Sequence, residues 1–190
     1  MDREPNFYIS SRNDISQKFT ELGIYNFQEA AKFIRMLPYG RNTDKNDLST
    51  VFNENRGTCS TKHALLKQLS DENNFQGLIL YIGVFKMNEE NTPAIAMTLK
   101  RNNLEYIPEA HCYLKFNDII LDFTKRNSSP TDFINELIEE IEIFPDQITD
   151  FKTNYHKSFL MNWLKKANLN LSLNELWTIR EQCIHDLEEN

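Results

Sequence analysis

The spacing of apolar residues divides the chain into a helical first third, a strand-rich centre and a helical last third. In the first third, apolar residues recur about every 3.6 positions in segments 15–22, 27–37 and 59–69, which predicts three helices. Pro38 ends the second helix, and the polar residues from there to Asn55 predict a loop. The third helix begins at Cys59.

The period of the pattern changes in the centre of the chain. Leu78–Phe85 is continuously apolar, which predicts a strand buried on both faces. Pro93 predicts the start of a short helix that continues to about residue 99, since proline is favoured at the first helical position. Two further strands are predicted over 109–116 and 119–124, and Asn117–Asp118 between them fits a two-residue hairpin turn.

The last third predicts three more helices, over about 131–143, 155–167 and from Ser172 onward, where Ser172–Glu175 forms a capping box. The predicted fold class is therefore α+β, with an antiparallel sheet and additional N- and C-terminal helices. We expect an α+β domain over residues 1–145. Residues 146–190 are expected to form a helical extension, either a separate subdomain or a segment that packs on the core.

Composition limits the classes of partner. The chain has 190 residues, a formal net charge of −7 and an isoelectric point near 5.2, which argue against non-specific binding to nucleic acid or to an anionic membrane. No apolar run reaches about 18 residues, and the first residues carry no apolar signal segment. Three cysteines do not suggest a disulfide framework. We therefore expect a cytoplasmic protein with reduced thiols.

A cysteine stands at the start of the predicted third helix, in the run Gly57–Thr61. A helix N-terminus presents unpaired N–H groups and a partial positive charge, and both favour thiolate over thiol. His111 and Asp122 follow, each on a predicted strand. A cysteine, a histidine and an aspartate at separate structural positions are the components of a thiol-based catalytic triad, with Cys59 as the nucleophile.

The predicted hairpin shows that the last two of these residues can meet. The turn Asn117–Asp118 pairs Tyr113 with Asp122 across the two strands. Opposed residues share a face of the sheet, as do alternate residues along a strand, so that His111 and Asp122 are diagonal neighbours on one face. The pattern therefore predicts a hydrogen bond from the imidazole of His111 to the carboxylate of Asp122.

Gly57–Cys59, followed by an apolar helix and a strand, resembles the transglutaminase-like superfamily, part of the wider papain-like cysteine enzymes. The segment Phe33–Tyr39 is similar to the family's segment before the nucleophile, and His111 and Asp122 fall where its second and third catalytic residues would. The resemblance covers Phe27–Thr124, about half of the chain. It implies a core in which the helix carrying the nucleophile packs on an antiparallel sheet, and a reaction without a cofactor.

Two features qualify this resemblance. Arg56–Cys59 is also similar to the arylamine N-acetyltransferases, which use a similar triad but are longer, and the region that would bind an acyl carrier is not recognisable here. Family members commonly have a tryptophan near the oxyanion site, whereas Trp163 and Trp177 lie far downstream. The backbone N–H of Cys59 is expected, from its position, to be one oxyanion donor.

Further residues are candidates for contact with the substrate or the oxyanion: Tyr39, Arg41, Asn53, Asn55, Thr58, His63 and Tyr113. The second oxyanion donor is left open among Tyr39, Asn53 and Asn55. Arg41 lies in a loop before the nucleophile and offers a fork for a carboxylate. His63 follows Cys59 by four residues and is expected to line the pocket edge or to lie at the surface.

The sequence thus predicts a cysteine-dependent hydrolase or acyl transferase that acts on a peptide, a protein or a small amide, without metal or cofactor. Neither nucleic acid nor a membrane is an expected partner, and the oligomeric state is left open. One alternative is a catalytically inactive module that keeps the fold and binds a partner. Another is a metal site made by Cys59, His63, His111 and Cys112, which is disfavoured because His111 and Cys112 point to opposite faces of one strand.

Overall fold

The computed structural model describes residues 4–188. The N-terminal segment, in which no signal peptide is predicted, includes residues 1–3, which lie outside the described residues. The helices are α1 (Asp14–Glu21), α2 (Phe27–Met36), α3 (Thr50–Asn53), α4 (Cys59–Glu72), α5 (Ala96–Arg101), α6 (Asp150–Ala167) and α7 (Leu173–Glu188). The strands are β1 (Leu78–Asn88), β2 (Tyr106–Phe116), β3 (Ile119–Leu121) and β4 (Leu137–Ile143). The described residues thus form an α+β fold with one antiparallel sheet in the order β3-β2-β1-β4.

The hairpin between β2 and β3 has the predicted register. Phe116 pairs with Ile119, and Leu114 pairs with Leu121. Both turn residues, Asn117 and Asp118, have positive φ angles, of 49° and 62°. A two-residue turn with two positive φ angles has the twist that joins antiparallel strands without splaying them. The turn and the register of the hairpin were therefore predicted correctly, whereas the predicted strand over 119–124 is too long, because β3 ends at Leu121 and Asp122 follows it.

The helix predicted over residues 131–143 is wrong. The structure has two 3-10 turns there, Pro130–Asp132 and Ile134–Glu136, followed by strand β4. The segment contains four isoleucines, and β-branched residues fit a pleated surface better than a helix. Strand β1 offers a free edge for pairing, and β4 completes the sheet there.

The described residues group into two compact units, each made of several stretches of chain. The first unit contains residues 4–82, 111–130 and 141–149. Its core is helix α4, which is contacted by α1, by α2 and by the 3-10 turn Pro145–Ile148. Because neighbours cover α4 on several sides, this helix is buried along most of its length and carries buried polar as well as apolar side chains.

The second unit contains residues 83–110, 131–140 and 150–188. Within it, α7 contacts α5, α6 and the 3-10 turn Pro93–Ile95. The grouping does not follow consecutive segments, and the predicted boundary after residue 145 stays a prediction. No helix within residues 4–188 is long and apolar enough to cross a membrane.

Candidate active site

Cys59 is the first residue of helix α4, directly after the cap residue Thr58. The two ends of a capping box are both present: the Thr61 N–H donates to Thr58 Oγ1 over 3.4 Å, and the Thr58 N–H donates to Thr61 Oγ1 over 3.0 Å. The cap fixes the first turn of the helix and places Cys59 at its positive end. Cys59 is buried, with 8% of its surface exposed.

The chain before Cys59 is held by the loop that follows α2. Gly57 forms a parallel bridge with Tyr39; its N–H donates to Pro38 O, and its carbonyl accepts from Gly40 N–H. Asn42 strengthens the connection, because its side chain accepts from Thr61 Oγ1 over 2.8 Å and donates to Arg56 O over 3.0 Å. The loop that follows α2 is thereby connected to the first turn of α4.

His111 on β2 and Asp122 just after β3 are in direct contact. The distance from His111 Nε2 to Asp122 Oδ2 is 3.1 Å, so that Nε2–H donates to the carboxylate as the hairpin register predicts. The other carboxylate oxygen, Oδ1, accepts from the N–H of Thr124 over 2.9 Å. Asp122 is therefore held by one bond to the imidazole and by one to the main chain.

The third contact joins the cysteine to the histidine. The charge of the Cys59 sulfur and a side-chain hydrogen bond to it are among the causes that raise the pKa of His111, so the sulfur lies close to the imidazole. Since Nε2 is occupied by Asp122, Nδ1 is the ring nitrogen left for the sulfur. In a thiol-based catalytic triad, the carboxylate orients the imidazole and the imidazole acts as the base for the thiol. The sulfur, the imidazole and the carboxylate have the same order here.

The charges at the site favour a protonated His111. Burial works against an imidazolium ion, but the Asp122 carboxylate and the Cys59 sulfur more than offset it and raise the pKa of His111 well above its ordinary value. Burial also works against the Asp122 carboxylate, yet His111 holds the pKa of Asp122 well below its ordinary value. The arrangement is therefore suited to a thiolate–imidazolium pair beside a fixed carboxylate.

The other predicted contact residues lie in different surroundings. Tyr113 is fully buried and stacks on His111, with ring centroids 6.2 Å apart, so that it supports the imidazole from within the protein. Tyr39 is half-buried, and its ring lies under the ammonium group of Lys125 at 5.1 Å. Arg41, Asn53 and Asn55 are exposed, and their roles stay predictions.

His63 does not lie at the pocket edge or at the surface, as expected from the sequence, but is fully buried. Its Nδ1 lies 2.7 Å from Cys59 O, and its Nε2 accepts the N–H of Phe123 over 2.7 Å. Because a carbonyl only accepts, Nδ1 carries the proton, and the ring is neutral. Burial is the main cause that lowers the pKa of His63.

Sequence reasoning missed Lys62. Its ammonium group is buried and donates to Leu37 O over 2.6 Å and to Thr124 O over 2.7 Å. Burial lowers its pKa to about 8, although Asp122 and Cys59 act in the opposite direction. The available signal was a lysine next to a histidine within a helix whose following positions are apolar, since a buried lysine needs partners.

The predicted metal alternative gains no support from this geometry. Residues 4–188 contain no group of three or more histidine, cysteine, aspartate or glutamate side chains arranged to hold a metal ion. Both ring nitrogens of His63 face main-chain groups. The three cysteines, Cys59, Cys112 and Cys183, are buried.

The chain matches no protein-family model, no curated protein and no solved structure at a significant level. The transglutaminase-like resemblance therefore depends on the residues of this chain alone.

Proposed function

We propose that the protein is a cysteine-dependent hydrolase or acyl transferase that acts on an amide or peptide bond. The observation that supports this most is the chain of side-chain hydrogen bonds from Cys59 to His111 and from His111 to Asp122. Three residues distant in sequence meet here in the order that acyl transfer requires, with the sulfur at a helix N-terminus. The order of elements is also that of a transglutaminase-like core, which we include in the proposal.

The reaction proceeds through a thioester. The Cys59 thiolate attacks the carbonyl carbon, and its sulfur–carbon bond replaces the carbon–nitrogen bond when His111 protonates the leaving amine. His111, now neutral, takes a proton from water or from an acceptor amine, which attacks the thioester and releases Cys59. Asp122 keeps Nε2 protonated throughout, so that Nδ1 handles the proton. The N–H of Cys59 is the proposed oxyanion donor.

The first experiment measures the reactivity of the thiol. We expect iodoacetamide at pH 7 to alkylate Cys59 about tenfold faster than a small free thiol, because only a few per cent of an ordinary thiol is ionised at that pH. Peptide mapping by mass spectrometry identifies the labelled site. The variant His111→Ala is expected to slow the alkylation to the rate of an ordinary buried thiol.

Cys183 is the internal control within the same chain. Burial, with Asp186 nearby, raises the pKa of the Cys183 thiol to about 12, so it stays protonated and unlabelled. A panel of acyl substrates, read by intact mass, then detects an acyl adduct on Cys59 that wild type releases and Cys59→Ser never forms. If Cys59 is alkylated no faster than a free thiol, and if His111→Ala does not change the rate, the enzyme hypothesis is rejected. The alternative of a catalytically inactive binding module then remains.

A further inference from the structure

The second histidine of the site, His63, does not occupy the position of an acid or a base. It lies four residues after Cys59 on α4, and its Nδ1–H donates to the carbonyl oxygen of Cys59 over 2.7 Å. It is fully buried and therefore has no access to a substrate. Its role follows from the groups to which it is hydrogen-bonded.

The opposite ring nitrogen holds the chain segment that carries the aspartate. The N–H of Phe123 donates to His63 Nε2 over 2.7 Å, and the next N–H, of Thr124, donates to Asp122 Oδ1 over 2.9 Å. Two successive N–H groups are thus divided between the histidine and the carboxylate. One imidazole ring thereby connects the carbonyl of the nucleophile to the residue that follows Asp122.

The protonation state of His63 determines whether the Asp122 carboxylate remains the partner of His111. Nε2 of His63 lies 3.6 Å from Asp122 Oδ1, close enough for an ion pair if Nε2 carried a proton. The Phe123 N–H points at that nitrogen and requires its lone pair. A neutral His63 therefore leaves the carboxylate to His111, whereas a charged His63 would compete for it.

The neighbouring lysine makes a parallel connection. Lys62 Nζ donates to Thr124 O over 2.7 Å, so two consecutive side chains of α4 hold two consecutive residues of the segment after Asp122. Lys62 also donates to Leu37 O over 2.6 Å, which joins the end of α2 to the same helix. The two side chains fix the distance between the nucleophile helix and the aspartate.

We propose that His63 is a positioning residue that fastens the Asp122 segment to the nucleophile helix and keeps the Asp122 carboxylate for His111. This inference rests on the function proposed above, since it assigns a task in preparing Cys59. The titratable groups that face His63 are Asp122, His111 and Cys59, and Lys62 adjoins it on the helix. Its pKa is lowered by burial, which keeps the ring neutral in the folded protein.

The experiment compares two variants that each keep one of the two hydrogen bonds. His63→Gln can place an acceptor near the position of Nε2 and keep the Phe123 contact, whereas His63→Asn is too short for it but can donate to Cys59 O. We expect His63→Asn to slow the alkylation of Cys59 about 10- to 100-fold, because small displacements of reacting groups have effects of that size. We also expect its pH profile to shift toward that of a free thiol, and His63→Gln to keep most of the rate.

A purely structural role gives a different result. In that case both variants lower the thermal midpoint, but the pH profile of Cys59 alkylation stays that of wild type, and the proposal is overturned. Equal loss of rate in His63→Gln and His63→Asn overturns it as well. Circular dichroism confirms that each variant is folded before its kinetics are compared.

A measurement on wild type keeps the proposal testable even if neither variant folds. Nitrogen-15 NMR of the histidine rings is expected to show His63 as the Nδ1–H tautomer, with Nε2 unprotonated at neutral pH. Protonation of Nε2 in the folded protein overturns the proposal. The same spectra report the His111–Asp122 hydrogen bond, so the positioning role is read even if Cys59 proves unreactive and the proposed function fails.

Discussion

Gly57 lies two residues before Cys59, in a position that has no room for a side chain. A Cβ atom there would lie 2.9 Å from Thr61 Oγ1 and 3.0 Å from Lys62 Cγ. Both neighbours are buried and hydrogen-bonded, so neither can move aside cheaply. Position 57 therefore requires glycine because the chain lies too close to α4 for a side chain. The φ angle of Gly57 is not the reason for this requirement.

Gly57→Ala is expected to destabilise the protein by about 1–3 kcal/mol, the usual range for overpacking. It should also slow the alkylation of Cys59, because the displaced atoms belong to the first turn of α4. The free energy of unfolding is measured by urea denaturation and the rate by the iodoacetamide assay.

Gly40→Ala is the matched control for this change. Its Cβ would meet Arg56 Cδ at 3.1 Å, but Arg56 is exposed and flexible and can move. Since alanine reduces the freedom of the unfolded chain by about 0.4–1 kcal/mol, this variant should be close to neutral. Equal destabilisation by the two substitutions would contradict the argument.

The contact between His111 and Asp122 could be predicted from the sequence, whereas the residues that hold it in place could not. His111 and Asp122 follow from the period of two along a strand and from a two-residue turn, which are local rules. Lys62 and His63 satisfy main-chain groups far away in sequence, at Thr124 and Phe123, and no local pattern announces such partners. Their burial depends on the neighbours that surround α4 in the folded protein.

At the scale of elements, the hairpin of β2 and β3 sets the spacing of the site. Its turn holds two residues at positive φ, and Asp118 has the larger angle, 62°. Asparagine followed by glycine is the preferred pair for such a turn, so aspartate at the second position is tolerated at some cost. The turn therefore offers a change that acts on the hairpin without touching the site.

Asp118→Gly is expected to keep or raise the stability, while Asp118→Val is expected to lower it by about 1–2 kcal/mol, since a β-branched residue resists positive φ. Thermal unfolding followed by circular dichroism gives the comparison. Asp118 is exposed to solvent, so packing does not obscure the result. If the valine variant is as stable as the glycine variant, the result contradicts the positive φ angle at residue 118.

The segment 131–143 shows where reading elements from the sequence fails. Ile134, Leu137, Ile138 and Ile141 are spaced like one face of a helix, and Leu137, Ile141 and Ile143 are also compatible with a strand. Periodicity alone cannot choose between the two for so short a segment. The free edge of β1 decides in favour of strand β4, and that edge exists only once the sheet has formed.

At the scale of the whole molecule, the second unit contains a buried ion pair of its own. Arg180 on α7 binds the carboxylate of Glu109 on β2 with two hydrogen bonds, one of them 2.8 Å long, and lies 5.1 Å from the ring centre of Trp177. Burial opposes the charge on Glu109, but Arg180 holds the pKa of Glu109 below its ordinary value. Glu109 precedes His111 by two residues on the same strand.

Arg180→Met is expected to destabilise the protein by about 3–5 kcal/mol, because it leaves the Glu109 carboxylate buried without a counter-charge. The double variant Glu109→Gln with Arg180→Met should recover a large part of that loss.

Trp163 and Trp177, the two tryptophans of the chain, both belong to the second unit, so their fluorescence in urea follows that unit, while circular dichroism follows the whole chain. Strands β1, β2 and β4 each contribute residues to both units, and we therefore expect both signals to shift together to lower urea. A shift of the fluorescence midpoint alone would mean that the units unfold separately, and no shift in either signal would contradict the importance of the ion pair.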